Sequence, residues 1–236
     1  EQSVAGNPRH RLQIVEELRD AIEDRQLSAH YQPKLDLRTR RIVGAEALVR
    51  WEHPVRGLLY PDAFLPLAEQ AGLMRAVGRQ VLRQALVAAG NWRVMHPDFH
   101  VAVNLSVSNL HDVDLPAQVY GLLESCDVPA EALVLEITEN VLLHDREGTL
   151  RTLHRLKAMG VGIVMDDFGT GYSSLSNLQC FPFDKIKIDR SFISGVTDDE
   201  AARSIVRAIV GLGQSLNLPV VAEGVETAEQ HRMVLE

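Results

Sequence analysis

The 236 residues are 46% hydrophobic and carry a formal net charge of −8, which supplies one large core and a single domain of α/β-barrel length. The acidic balance, with both signs interspersed, argues against polymeric nucleic acid as a partner, since that needs a basic face; a small anionic ligand stays open, because a metal or a local Arg/Lys pair reverses the field inside a cleft. No apolar run approaches the roughly 18 residues of a membrane span. The two cysteines, Cys126 and Cys180, stand outside any CxxC pair and the N-terminus lacks a signal-peptide pattern, so a reduced, cytoplasmic setting is expected, on its own or as part of a larger membrane-anchored protein.

An amphipathic helix is predicted over 11–26, with Leu12, Val15, Leu18 and Ile22 on one face. Extended runs follow over 30–37 and 42–51. The link between them, Arg38-Thr39-Arg40-Arg41, is too short for a helix, so this first pair should be antiparallel. Helices are expected over 61–71 and 74–95, a strand over 101–107, a helix over 115–125, a strand over 133–138 and a helix over 148–159. Then come a strand over 162–165, a Gly-rich loop with a short helix, a strand over 185–188, a helix over 199–216, a strand over 220–223 and a helix from Thr227. Gly72 and Gly160 sit where helix-ending glycines belong. Strands alternating with helices predict parallel β/α units, in an open doubly wound sheet or a closed barrel.

Polar residues decide between the two. Glu46, Asn104, Glu136, the pair Asp166 and Asp167, Lys187 and Glu223 each fall at or near the C-terminal end of an apolar run. In a barrel these ends converge on one face, where active sites of that fold lie; along an open sheet the outer ones could not meet. Taken singly, each has a plain explanation: a strand-end charge, a turn residue, a salt-bridge partner. Their recurrence at one phase of a repeating unit points to a site.

The segment 162–189 is the densest part of that pattern. Two adjacent carboxylates ending a buried strand repel each other and lose hydration, which a divalent cation repairs best, and a lysine on the next strand adds a fixed positive charge. Glu46, Glu136, Asp166, Asp167 and Glu223 against Lys187 and Arg50 leave three uncompensated negative charges, prohibitive in one cleft without cations. Two divalent ions would turn the site mildly positive, ready for a phosphodiester. An all-oxygen donor set favours Mg²⁺ or Mn²⁺ over Zn²⁺. His53 and His144 lie near these motifs but are not needed as ligands. Gly169 and Gly171 are not followed by GK[ST], so a triphosphate loop is not indicated. Trp51 could stack on a base or fill the core.

The motifs EALVR at 46–50, NLS at 104–106, EITE at 136–139, DDFGTGYSSL at 166–175, KID at 187–189 and AEGVE at 222–226, with YQP at 31–33, together resemble the EAL-domain cyclic di-GMP phosphodiesterases. Each motif alone is weak; six in order at domain-scale spacing are specific, and they cover the chain from about Leu12. The resemblance implies a modified (β/α)8 barrel with an antiparallel first strand, and hydrolysis of cyclic di-GMP to linear pGpG. By motif position, Glu46, Asn104, Glu136 and Asp166 look like ligands of one Mg²⁺ or Mn²⁺, and Asp166, Asp167 and Glu223 like ligands of a second. Lys187 looks like the residue that orients the attacking water, with Glu223 and Asp167 also in the catalytic group. Gln32, Leu48 and Arg50 look like substrate contacts, Arg50 suiting phosphate through its planar fork. Glu139 looks like the anchor of the loop over 167–175. The resemblance leaves open whether Glu223 also acts as a base, and what protonates the leaving 3′-oxygen.

The intact motifs argue for an active enzyme over a non-catalytic cyclic di-GMP receptor. An unrelated enolising barrel metalloenzyme fits less well, because the adjacent aspartates and the full motif set go unused. The whole of 1–236 reads as one EAL-type domain, with 1–26 as lead-in helix, a homodimer as its expected assembly and an upstream sensory or GGDEF-type domain in the parent protein. Family members continue into an eighth strand that is missing here, so the functional polypeptide is expected to run roughly 15–30 residues past Glu236.

Overall fold

Alternating apolar and polar residues along 41–53 become the longest strand of the computed structural model, which describes residues 8–139, 145–170 and 175–235. The chain divides into two units: residues up to Asp36 with Arg40–Leu133, and Leu37–Thr39 with the residues from Val134 onward.

In the first unit, α1 (Pro8–Glu23) precedes β1 (Leu27–Asp36), β2 (Arg41–His53) and β3 (Gly57–Leu59). Helices α2 (Pro61–Gln70) and α3 (Met74–Arg93) follow, then β4 (His100–Asn104), α4 (Val107–Leu110) and α5 (Leu115–Cys126). β1 and β2 pair antiparallel, as the short link requires, while β2 and β4 pair parallel. On β2 the period of two separates Ala45, Ala47, Val49 and Trp51, all buried, from Glu46, Leu48 and Arg50, half-buried on the opposite face. α3 buries Val77, Val81, Leu82, Ala85, Leu86 and Ala89 along one stripe. Trp51 is fully buried, edge-on to Phe64 at 5.7 Å between ring centroids. Such burial contributes about 5 kcal/mol before entropy, and it assigns Trp51 to the core; it cannot stack on a ligand.

In the second unit, β5 (Leu133–Thr138), α6 (Arg146–Ala158), β6 (Gly162–Phe168), α7 (Leu175–Cys180) and β7 (Lys185–Ile188) lead to α8 (Arg190–Ser194), α9 (Glu200–Leu216), β8 (Val220–Ala222) and α10 (Ala228–Leu235). The four strands pair parallel in chain order. Leu135, Ile137, Ile163, Met165, Ile186 and Ile188 are buried, the near-continuous apolar reading of strands covered on both faces. Gly72 and Gly160 take the left-handed conformation after their helices, at φ +68° and +97°.

Several elements differ from expectation, β3 and α4 among them as unforeseen. The strand predicted over 101–107 stops at Asn104, because the Ser106 hydroxyl caps α4 by accepting from the Asn109 N–H. Asp189 likewise caps the unforeseen α8, accepting from the Ser191 N–H. β6 runs three residues past Met165, through both aspartates. No helix among the described residues is long and apolar enough to cross a membrane.

Candidate active site

The second unit holds the densest polar cluster, and strand register builds it. Thr138 pairs with Asp166 and Val164 with Lys185, so Glu136, Asp166 and Lys187 project from the same face of adjacent strands. Lys187 pairs with Val221, and two residues on, Glu223 returns to that face. Two consecutive strand residues ordinarily point to opposite faces. Asp167 escapes this rule: the β6–β7 register shifts between Met165 and Phe168, and Asp167 is left-handed at φ +54°. It is the extra residue of a bulge, in a conformation that aspartate tolerates better than most residues. The Asp167 N–H donates to Asp166 Oδ1 at 2.9 Å. As a result Asp166, Asp167 and Glu223 each present a carboxylate oxygen within 4.8 Å of the others.

Lys187 ties this cluster together. Its ammonium lies 2.6 Å from Glu136 Oε2, 3.1 Å from Asp166 Oδ1 and 2.5 Å from Glu223 Oε1. Lys187 and Glu136 are each 1% exposed and Asp166 is 6% exposed. Four carboxylates against one ammonium leave a formal charge of −3. Hard oxygen donors, this excess charge and the close approach of three carboxylates fit Mg²⁺ or Mn²⁺.

Gly169, just past the bulge, sits at φ +99°, and a Cβ there would press against the Phe192 ring at 3.0 Å. Asp189, last residue of the KID motif, is partly buried, which raises its carboxyl; hydrogen bonds from Ser191 and the Arg190 backbone, with the Arg190 charge, outweigh that and hold it below the ordinary carboxylate value. Glu139 is buried at 5% exposure beside the end of β5, but residues 171–174 of the loop assigned to it, Gly171 included, lie outside the described residues, as does His144.

The first unit gathers a second set of motif residues. Gln32 stands opposite Glu46 across the β1–β2 pair, and Leu48 and Arg50 follow Glu46 on its face. Asn104, at the end of β4, donates from Nδ2 to Glu46 Oε1 at 2.8 Å. Two residues went unmarked in the sequence. Lys34 places its ammonium 3.9 Å from Glu46 Oε2; its signal was its position two residues beyond Gln32 on β1. The Arg50 guanidinium lies 4.8 Å from the Tyr60 ring centroid, a cation–π contact. His53 is buried, contacts Glu17 at 3.1 Å and accepts from the Val55 N–H through Nδ1; these structural bonds occupy both ring nitrogens.

Parallel strands that deliver carboxylates and a lysine to their C-terminal ends have the arrangement of a β/α-barrel protein with an acidic site. The family model for the EAL domain matches residues 15–236, and the chain belongs to that family. MucR of Pseudomonas aeruginosa, a bifunctional diguanylate cyclase/cyclic di-GMP phosphodiesterase, is 44% identical over 235 residues, 99% of this chain and 34% of that protein. NbdA of the same organism, a cyclic di-GMP phosphodiesterase, is 44% identical over 220 residues, 93% of this chain and 28% of its own length. The chain thus spans about a third of these relatives. The solved MucR phosphodiesterase in complex with c-di-GMP superposes with a TM-score of 0.90 at 45% identity, covering 94% of this chain and 91% of that one. The EAL enzyme Bd1971, bound to cAMP and cyclic di-GMP, gives 0.91 at 27% identity, covering 98% and 64%. The fold class is therefore the modified barrel with an antiparallel first strand that the motifs implied.

Proposed function

We propose that this chain hydrolyses cyclic di-GMP to linear pGpG with two Mg²⁺ or Mn²⁺ ions. The observation that carries the reading is the carboxylate cluster around buried Lys187, in a chain of the EAL family that is 44% identical to a named cyclic di-GMP phosphodiesterase. Asp166, Asp167 and Glu223 are proposed to hold one cation; Glu46, Asn104, Glu136 and Asp166 are assigned to the other by motif position. When bound, the two ions would supply Lewis acidity and neutralise the phosphodiester.

The chain's own residues do the remaining work. Lys187, fixed by its carboxylates, orients the incoming water and steadies charge developing on phosphorus. Water adds to phosphorus, the P–O3′ bond breaks, and the product carries a 5′-phosphate and a free 3′-hydroxyl. Arg50, held against Tyr60, contacts substrate phosphate, and Gln32 and Leu48 shape the pocket. Glu139 is proposed to anchor the loop over 167–175. A cytoplasmic setting, a homodimeric assembly and an upstream sensory or GGDEF-type domain in the parent protein accompany the proposal. The test is chromatography after incubating purified protein with cyclic di-GMP and Mg²⁺. Formation of pGpG, suppressed by chelator, is expected; tight binding without any product would make the chain a receptor instead.

A further inference from the structure

We infer that Lys187 is a built-in counter-ion of the cation site: it holds three strands' carboxylates together when no divalent ion is bound, and it competes with that ion for the same oxygens. The inference rests on reading those carboxylates as cation ligands.

The geometry is stoichiometric. An ammonium has three N–H donors, and three carboxylates lie within 3.1 Å of Nζ, from β5, from β6 and from the residue after β8. Lysine and glutamate are almost never fully buried unless paired, yet the side chains of Lys187 and Glu136 are 2% and 0% exposed. Without the ammonium, the carboxylates of Glu136, Asp166 and Glu223 would face each other with the first two buried, and breaking a buried ion pair is among the costlier single changes. Two of the oxygen-bearing groups, Asp166 and Glu223, also belong to the trio that converges within 4.8 Å. A divalent ion placed there must share them with the lysine and sits close to its positive charge. Lys187 therefore does two opposed things: it preserves the site in the empty protein and lowers its affinity for the ion. A lysine that only filled space would do neither.

The experiment compares wild type and Lys187→Met by thermal melting in EDTA and by calorimetric titration with Mn²⁺ alone. In EDTA the variant should melt roughly 10 °C lower, while its Mn²⁺ dissociation constant should be about tenfold tighter. Adding Glu136→Gln to Lys187→Met, which removes the most buried of the stranded charges, should restore at least half of the lost melting temperature. A variant that folds only with Mn²⁺ present also supports the inference. Should Lys187→Met fold under neither condition, the double variant measured against Glu136→Gln alone carries the same affinity comparison. Mn²⁺ binding that is unchanged or weaker without the lysine overturns the counter-ion role. Absence of Mn²⁺ binding in the wild type overturns the ligand reading itself, and the inference with it.

Discussion

Each unit contains a glutamate with a lysine close by, and the two settings are opposites. In the first, Glu46 and Lys34 approach only to 3.9 Å, with side chains 13% and 19% exposed, and the nearer partner of Glu46 is the neutral amide of Asn104. In the second, Glu136 and Lys187 meet at 2.6 Å with almost no exposure. A loose pair at 3.9 Å contributes little and adjusts easily. A three-way clamp around a buried lysine fixes its members and punishes the loss of any charge that balances the others. The Glu46 pair is thus the looser of the two and the Lys187 cluster the more tightly held.

The largest expected effect tests that contrast directly. Lys187→Ala should lower stability in chelator by about 3–5 kcal/mol, whereas Lys34→Ala should cost no more than about 1 kcal/mol. Denaturant melts of the two variants settle the matter, and equal costs would erase the distinction. In catalysis, Lys187→Ala should lower kcat at least about a hundredfold, the scale of one preorganised electrostatic group. Its affinity for cyclic di-GMP in Ca²⁺ should change far less; loss of binding would mean that its role is misassigned. Arg50→Ala belongs to the adjustable region, so it should weaken cyclic di-GMP binding by roughly ten- to a hundredfold with a smaller effect on kcat. Calorimetry with Ca²⁺-loaded protein reads this, and an unchanged dissociation constant removes Arg50 from the pocket. The smallest effect separates backbone from charge at Asp167. Both Asp167→Asn and Asp167→Ala should lose cation affinity, but Asn tolerates φ +54° and Ala does not, so Ala should be less stable by about 1 kcal/mol. Equal stability would mean that the bulge relaxes on substitution.

The sequence showed most of this frame for physical reasons that can be named. The EALVR motif named Glu46, Leu48 and Arg50, and the short link after β1 dictated an antiparallel pair. What it hid were events that break a period. Asp166 and Asp167 read as a pair just past a strand ending at Met165; the strand instead runs through both, and the left-handed bulge is what brings both to the cluster. Ser106 and Asp189 carried cap signals, but the motifs around them drew attention to chemistry, so α4 and α8 went unseen. Lys34 and Tyr60 act on Glu46 and Arg50 through cross-strand register and tertiary contact, which no local spacing encodes. Trp51 was legible as aromatic bulk but not as to its side of the sheet; its parity with Ala45, Ala47 and Val49 carried that answer.

The two-cation reading is tested most directly by measuring pGpG formation by one preparation of the protein in Mg²⁺ and in Ca²⁺. An all-oxygen site binds both, but the larger, looser Ca²⁺ misplaces the attacking water. Turnover should therefore be robust in Mg²⁺ and at most a few per cent of that in Ca²⁺, with cyclic di-GMP bound in both. Comparable turnover in the two ions, or none in either, would contradict it.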